Sequence, residues 1–209
     1  MNRIIILTLL TVLSFSTKAQ ITTSLGLKAG ANISGMTSDY YSENFRKPGF
    51  YAGVLAEFSF SEYFSIQSEL LYASYGAEVY LMTMGAGIID TYYSLDYIIL
   101  PISVMYFVNR NLSVDFGPSF NFLVRDKAYR PGLPDLYDRD GNFLRSQSDV
   151  DPGGSRFEFS GFVGITYSLC SSWAASFRYT QGLSGAFGAY GAKSDDKNNA
   201  FQIGLQYQF

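Results

Sequence analysis

Eight ionisable side chains stand at alternating positions in weakly charged segments: Lys28, Glu57, Glu69, Asp115, Arg125, Arg156, Glu158 and Arg178. Gln67, Gln202 and Gln206 share their face. Four acids and four bases among amides can pass a proton or an ion along a path, or they can neutralise one another in a packed interior. The second use is the expectation, because buried charges must be paired. Catalysis is harder to build from these groups. The chain has 0 His, which removes Ser-His-Asp and Cys-His devices and imidazole metal sites. Its single Cys, Cys170, excludes an intrachain disulfide framework and a thiolate zinc site. A hydrolase would need a Ser–Lys or paired-Asp device, and no spacing suggests one. The stretch Asp138-Arg139-Asp140-Gly141-Asn142 has the opening of a calcium loop, but the Glu at position twelve is missing. Asp-Gly is also a common hairpin turn, and a turn is expected here. No cofactor and no metal are expected. With 15 basic against 18 acidic residues, no basic field points to nucleic acid.

Such side chains need elements with a period of two. Alternation runs through 25–33, 50–60, 64–72, 98–106, 112–125, 156–169, 173–180 and 201–209. In the first segment Leu25, Leu27, Ala29, Ala31 and Ile33 oppose Gly26, Lys28, Gly30 and Asn32. These are eight strands, most of them about 9–11 residues or more, the length a tilted strand needs to cross a membrane. The connections alternate too. Ser61-Glu62-Tyr63, Val108-Asn109-Arg110 and Cys170-Ser171-Ser172 are short, while roughly 34–48, 74–92, 126–155 and 183–199 are long. Membrane barrels separate periplasmic turns from extracellular loops in this way. Three-residue turns pair Phe60 with Phe64, Phe107 with Asn111 and Leu169 with Trp173, which sets Glu57 opposite Gln67 and Ile165 opposite Phe177.

Orientation decides between a soluble barrel of lipocalin type and a membrane barrel. The polar face is Gly- and Ser-rich and its charges balance, which suits a packed lumen. The apolar face gathers Phe58, Phe60, Phe64, Tyr106, Tyr167, Trp173, Tyr207 and Phe209 near the short turns. Aromatic belts of this kind sit at membrane–water interfaces. In lipid the sheet must have no edge, so the last strand must pair with the first. The expected fold is all-β: an eight-stranded antiparallel up-and-down transmembrane β-barrel with short periplasmic turns and long extracellular loops. Residues 1–19 form a signal peptide. Arg3 supplies its charge, Ile4 to Leu13 its apolar stretch, and Thr17-Lys18-Ala19 a cleavage site before Gln20. Residues 20–209 form the barrel domain, expected in the bacterial outer membrane as a monomer in contact with outer-membrane lipid.

The blocks GLKAGANISGM (26–36), KPGFYAGVLAEFSFSEYFSIQSELLYASYGAE (47–78), YIILPISVMYF (97–107), NLSVDFGPSFNFLV (111–124) and FQIGLQYQF (201–209) resemble the PorT-type outer-membrane β-barrel family. The resemblance implies an integral outer-membrane protein. The namesake's part in protein secretion makes envelope or secretion-complex proteins candidate partners. The terminal Phe209 on an alternating strand resembles the signal read by barrel insertion machinery. Where the family often has a polar residue, this chain has Ile99, so a lumen-facing Ile99 makes the interior drier. The leading reading is a non-enzymatic barrel with a structural or recognition role, through its loops or as an accessory of an envelope complex. A narrow channel and a barrel-embedded enzyme acting on lipid or peptide are the alternatives. An interior filled by its own side chains, as eight strands allow, weighs against the channel. The apolar segment 79–89 is either a partner surface or a continuation of two strands. Pro101 and Pro118 each remove a ladder donor, and a local bulge is expected there. Cys170, in a Ser-rich turn, is read as incidental.

Overall fold

The computed structural model describes residues 22–37, 44–83, 87–129, 136–137, 143–145, 149–150, 155–184 and 197–209. The segment expected as a signal peptide and the Asp138–Asn142 stretch lie outside them. Eight long strands follow in order: β1 (Thr22–Thr37), β2 (Asn44–Ser59), β3 (Phe64–Thr83), β4 (Gly87–Phe107), β5 (Leu112–Tyr129), β6 (Phe157–Ser168), β7 (Trp173–Gly182) and β8 (Lys197–Gln208). Each pairs antiparallel with its sequence neighbour where both ends are described. β1 and β8 pair from Gly26↔Gln208 to Thr37↔Lys197, which closes the ring. Among the described residues the barrel wall therefore has no edge strand. Between β5 and β6, Leu136–Tyr137 pairs with Phe143–Arg145, and Asp149–Val150 extends the edge of β5.

Alternation explains the strands, and the register follows from it. A shift of one residue would drive every charged side chain to the apolar face. Glu57 stands opposite Gln67 and Ile165 opposite Phe177. The first and third short turns close as expected, with Phe60 N–H donating to Phe64 and Leu169 N–H to Trp173 at 3.1 and 2.8 Å. The middle turn differs. Val108 N–H donates to Leu112 at 2.9 Å and Phe107 pairs with Ser113, so the turn is Asn109-Arg110-Asn111. The Asn109 side chain explains the shift, since its Oδ1 accepts from Asn111 N–H and Leu112 N–H, both at 2.9 Å.

The first five strands are longer than the alternation alone required. β3 has 20 residues and β4 has 21, and they stay paired to Thr83↔Gly87. Much of 79–89 is therefore strand that continues past the barrel wall. The bulge expected at the prolines is absent. Pro101 pairs with Ser119 and Val104 with Phe116, three residues on along each strand, and pairing of β5 with β6 runs unbroken through Pro118↔Gly161. A proline removes one donor but fits the extended backbone, and Gly117 lets the carbonyl of Ile102 come close where any Cβ would collide with it. The register shifts lie elsewhere, between Arg46 and Tyr51 on β2 and between Asp96 and Tyr97 on β4 against β5.

The wall is apolar outside and polar inside. Leu27, Phe50, Phe116, Val163 and Ile203 lie exposed on the exterior, Ile203 at 64 %. Lys28, Glu69, Asp115, Glu158 and Arg178 are buried within. A protein in water would have these reversed, so hydrocarbon is the solvent that fits this exterior.

Candidate functional site

The lumen contains a central charge cluster. Glu69 on β3 accepts from Lys28 Nζ on β1 at 2.9 Å, and from both terminal nitrogens of Arg178 on β7 at 2.8 and 3.0 Å. Arg178 also donates to Asp115 on β5 at 3.0 Å. Two cations and two carboxylates cancel, and the forked guanidinium grips Glu69 with two bonds. The Arg178 guanidinium carbon lies 4.1 Å from the centre of the Phe162 ring. Gln67 Nε2 adds a fourth donor to Glu69, at 2.6 Å.

On the long-loop side the interior turns apolar and aromatic. Tyr51, Leu71, Ala73, Tyr75, Leu95, Tyr97, Ile99 and Ala200 pack together, all buried. Ile99 does face inward, and Leu71 and Leu95 make this layer drier than Ile99 alone would. Three tyrosines stand in this layer: alternation already puts Tyr51 on the polar face, while Tyr75 and Tyr97 lie beyond the segments in which alternation was read. Two of the hydroxyls meet amides, Gln202 donating to Tyr75 and Asn198 to Tyr97, each at 3.2 Å, and that of Tyr51 meets Ser176. Glu158 accepts from Asn198 at 2.6 Å and from Ser160 at 3.2 Å. Its partners are neutral, so Glu158 stands apart from the central cluster.

Near the short turns Glu57 accepts from Gln208 at 2.7 Å. It lines a cavity of about 80 Å³ together with Gln206 and Ser113. Gln206 is buried there and its side-chain oxygen accepts no hydrogen bond from the described residues, as is true of Gln67 beside Glu69. A polar space of this size is suited to a few ordered waters.

Two expected lumen residues are not in the lumen. Arg125 and Arg156 are exposed. On β5, Leu123 pairs with Tyr97 but Arg125 pairs with Asp96, so one extra residue, Val124, breaks the alternation. The bulge turns Arg125 outward. Arg156 keeps the parity of Glu158 but precedes β6, at the rim.

The aromatic residues expected at the short-turn end are on the outer wall and touch one another. Phe64 and Tyr106 stand 5.2 Å apart, Trp173 and Tyr207 5.0 Å, and Tyr207 and Phe209 5.4 Å between ring centres. Phe58, Phe60 and Tyr167 are exposed in the same region. A second girdle was missed. Phe50 with Tyr72, Phe122 with Phe157, and Tyr179 with Phe201 form outer pairs toward the loops, at 6.0, 5.4 and 4.8 Å. Two aromatic rings around an apolar band mark the two faces of a membrane.

A family model described as outer membrane protein beta-barrel domain matches residues 15–188. The chain belongs to this family. The barrel therefore resides in the bacterial outer membrane, with its short turns on the periplasmic side. Among solved structures it is similar to Ail, the attachment invasion locus protein of Yersinia pestis, at 13% identity and TM-score 0.51, over 89% of this chain and 98% of that one. It is equally similar to Neisserial surface protein A, at 13% identity and TM-score 0.51, over 90% and 99%. These likenesses concern the fold. No curated protein sequence matches the chain.

Proposed function

We propose that this outer-membrane barrel is a non-enzymatic protein that acts through its extracellular loops, in recognition or as an accessory of an envelope or secretion assembly. The layered lumen carries this reading. Arg178, Glu69, Lys28 and Asp115 join β1, β3, β5 and β7 across the interior. An apolar layer of Tyr51, Leu71, Leu95, Tyr97 and Ile99 lies above them. An ion would have to break a paired cluster and then cross an apolar layer, so the barrel holds its loops in place and conducts nothing. The resemblance to the PorT-type family supports the secretion-linked form. Export through residues 1–19, with cleavage after Ala19, and recognition of Phe209 by insertion machinery belong to the same reading.

Single-channel recording of the purified barrel in a planar bilayer tests it. The expected trace stays at the leak level, and steady unitary conductance would overturn the proposal in favour of a narrow channel. Mild detergent extraction from native membranes then separates the two forms. Co-elution of secretion components supports the accessory role, and a lone monomer supports a general surface role.

A further inference from the structure

Among the described residues, three exposed cations stand on the outer wall, where lipid should be, and the half-buried Lys197 shares the outward parity of Phe201 and Ile203 on β8. Arg46 is exposed and stands at the register shift of β2, where its contact with a ring of the outer wall places it outside. Its guanidinium carbon lies 4.8 Å from the ring centre of Phe201, an exposed member of the upper girdle. Arg125 is turned outward by the bulge at Val124 and is exposed. Lys127 follows two residues later, exposed, opposite Ser94. All three lie on the loop side of the upper girdle, beyond Phe50 on β2 and beyond Phe122 on β5. Among the side chains described, the outward acid is Asp96, which stands directly opposite Arg125 but is largely buried and hydrogen-bonded with the Tyr72 hydroxyl. Asp126 belongs to the other face, opposite the buried Leu95. The lower girdle differs. Around Phe60, Phe64, Tyr106, Tyr167, Trp173 and Phe209 no outward cation stands on the wall among the described residues.

A cation on the lipid face is strongly disfavoured at the midplane and tolerated only where it reaches the headgroups. There it meets phosphate. A guanidinium stacked on a ring keeps its N–H edge free, and that edge matches phosphate oxygens two at a time. Two of the three cations flank register shifts, the device that re-aims a side chain in a sheet. We propose that Arg46, Arg125 and Lys127 bind the phosphates of net anionic headgroups, those with no cation of their own, in outer-leaflet lipid and so fix the height of the barrel in the membrane.

The test uses the full mature chain in nanodiscs of equal parts phosphatidylglycerol and phosphatidylcholine, followed by native mass spectrometry of the lipids that stay bound. Phosphatidylglycerol should be enriched among them. R46Q, R125Q and K127Q should each lower that enrichment, roughly fivefold per cation removed, and the triple variant should lose it. R110Q, in a periplasmic turn, should keep it. Bound lipids in the bulk ratio would overturn the proposal, as would wild-type enrichment in the triple variant. Should the triple variant fail to insert, R125Q alone decides by the same measure. Inorganic phosphate that displaced the bound lipid more strongly than chloride at equal ionic strength would reveal a free-anion site, and that too would overturn it.

Discussion

Arg178 holds two carboxylates at once, and neither has another strong cation within reach except the Lys28 that serves Glu69. Removing one partner of a buried ion pair leaves a bare charge in a poor solvent, typically at about 3–5 kcal/mol. Arg178→Ala should lower stability by that amount in urea-induced unfolding from lipid vesicles. Arg178→Lys should recover part of it, because a lysine restores the charge but not the fork. Glu57→Gln should change little, since its partners are neutral amides and hydroxyls and it sits beside the periplasmic cavity. Much of the cluster was legible from residue type and parity alone. Glu69, Lys28, Asp115 and Arg178 could be placed on one face. That Glu69 would be shared by both cations while Glu158 met only neutral groups could not be read, because those contacts join residues 41, 109 and 40 positions apart in the chain.

At the scale of elements, the seam where β2, β1 and β8 meet is tight. Gly30 pairs with Gly204, and the Tyr51 hydroxyl lies over both, where any Cβ would collide with it. The glycines are there for close approach, not for unusual backbone angles. Gly204→Ala should cost about 1–3 kcal/mol through overpacking, measured by the same unfolding assay. Combining it with Tyr51→Ala should cost less than the sum of the two single changes, because the second removes one of the two groups that the first strikes and leaves only the Ala29 carbonyl. A purely additive pair would show that the ring does not press on the seam. The bulge at Val124 belongs to this scale too. Alternation predicted an inward Arg125, and one inserted residue reversed it. No sequence signal marks that insertion, because Val124 and Arg125 are both acceptable strand residues. The prolines misled in the opposite direction, since a missing donor did not require a missing register.

For the whole molecule, closure is the governing fact. β8 contributes pairs to both β7 and β1, from Trp173↔Tyr207 and Gly26↔Gln208 upward. Without it both neighbours would present open edges to hydrocarbon, where no water can satisfy them. Deleting residues 201–209 should therefore abolish insertion into liposomes, read as loss of the protease-protected fragment. Survival of a protected fragment would mean that seven strands can close without the eighth. Conductance and lipid retention probe the same closed object from inside and outside.

Residue alternation by itself determined the strand number, the up-and-down order, the sorting of most side chains between lipid and lumen, and two of the three short turns. Those properties are local, because a strand's two faces are set by every second residue and a turn by the few residues that form it. Tertiary structure decided which charges pair across the barrel, where the wall gains an extra residue, and how far β3 and β4 continue beyond the membrane. These depend on strands brought together only when the ring closes, and no short stretch of sequence carries the distance between them.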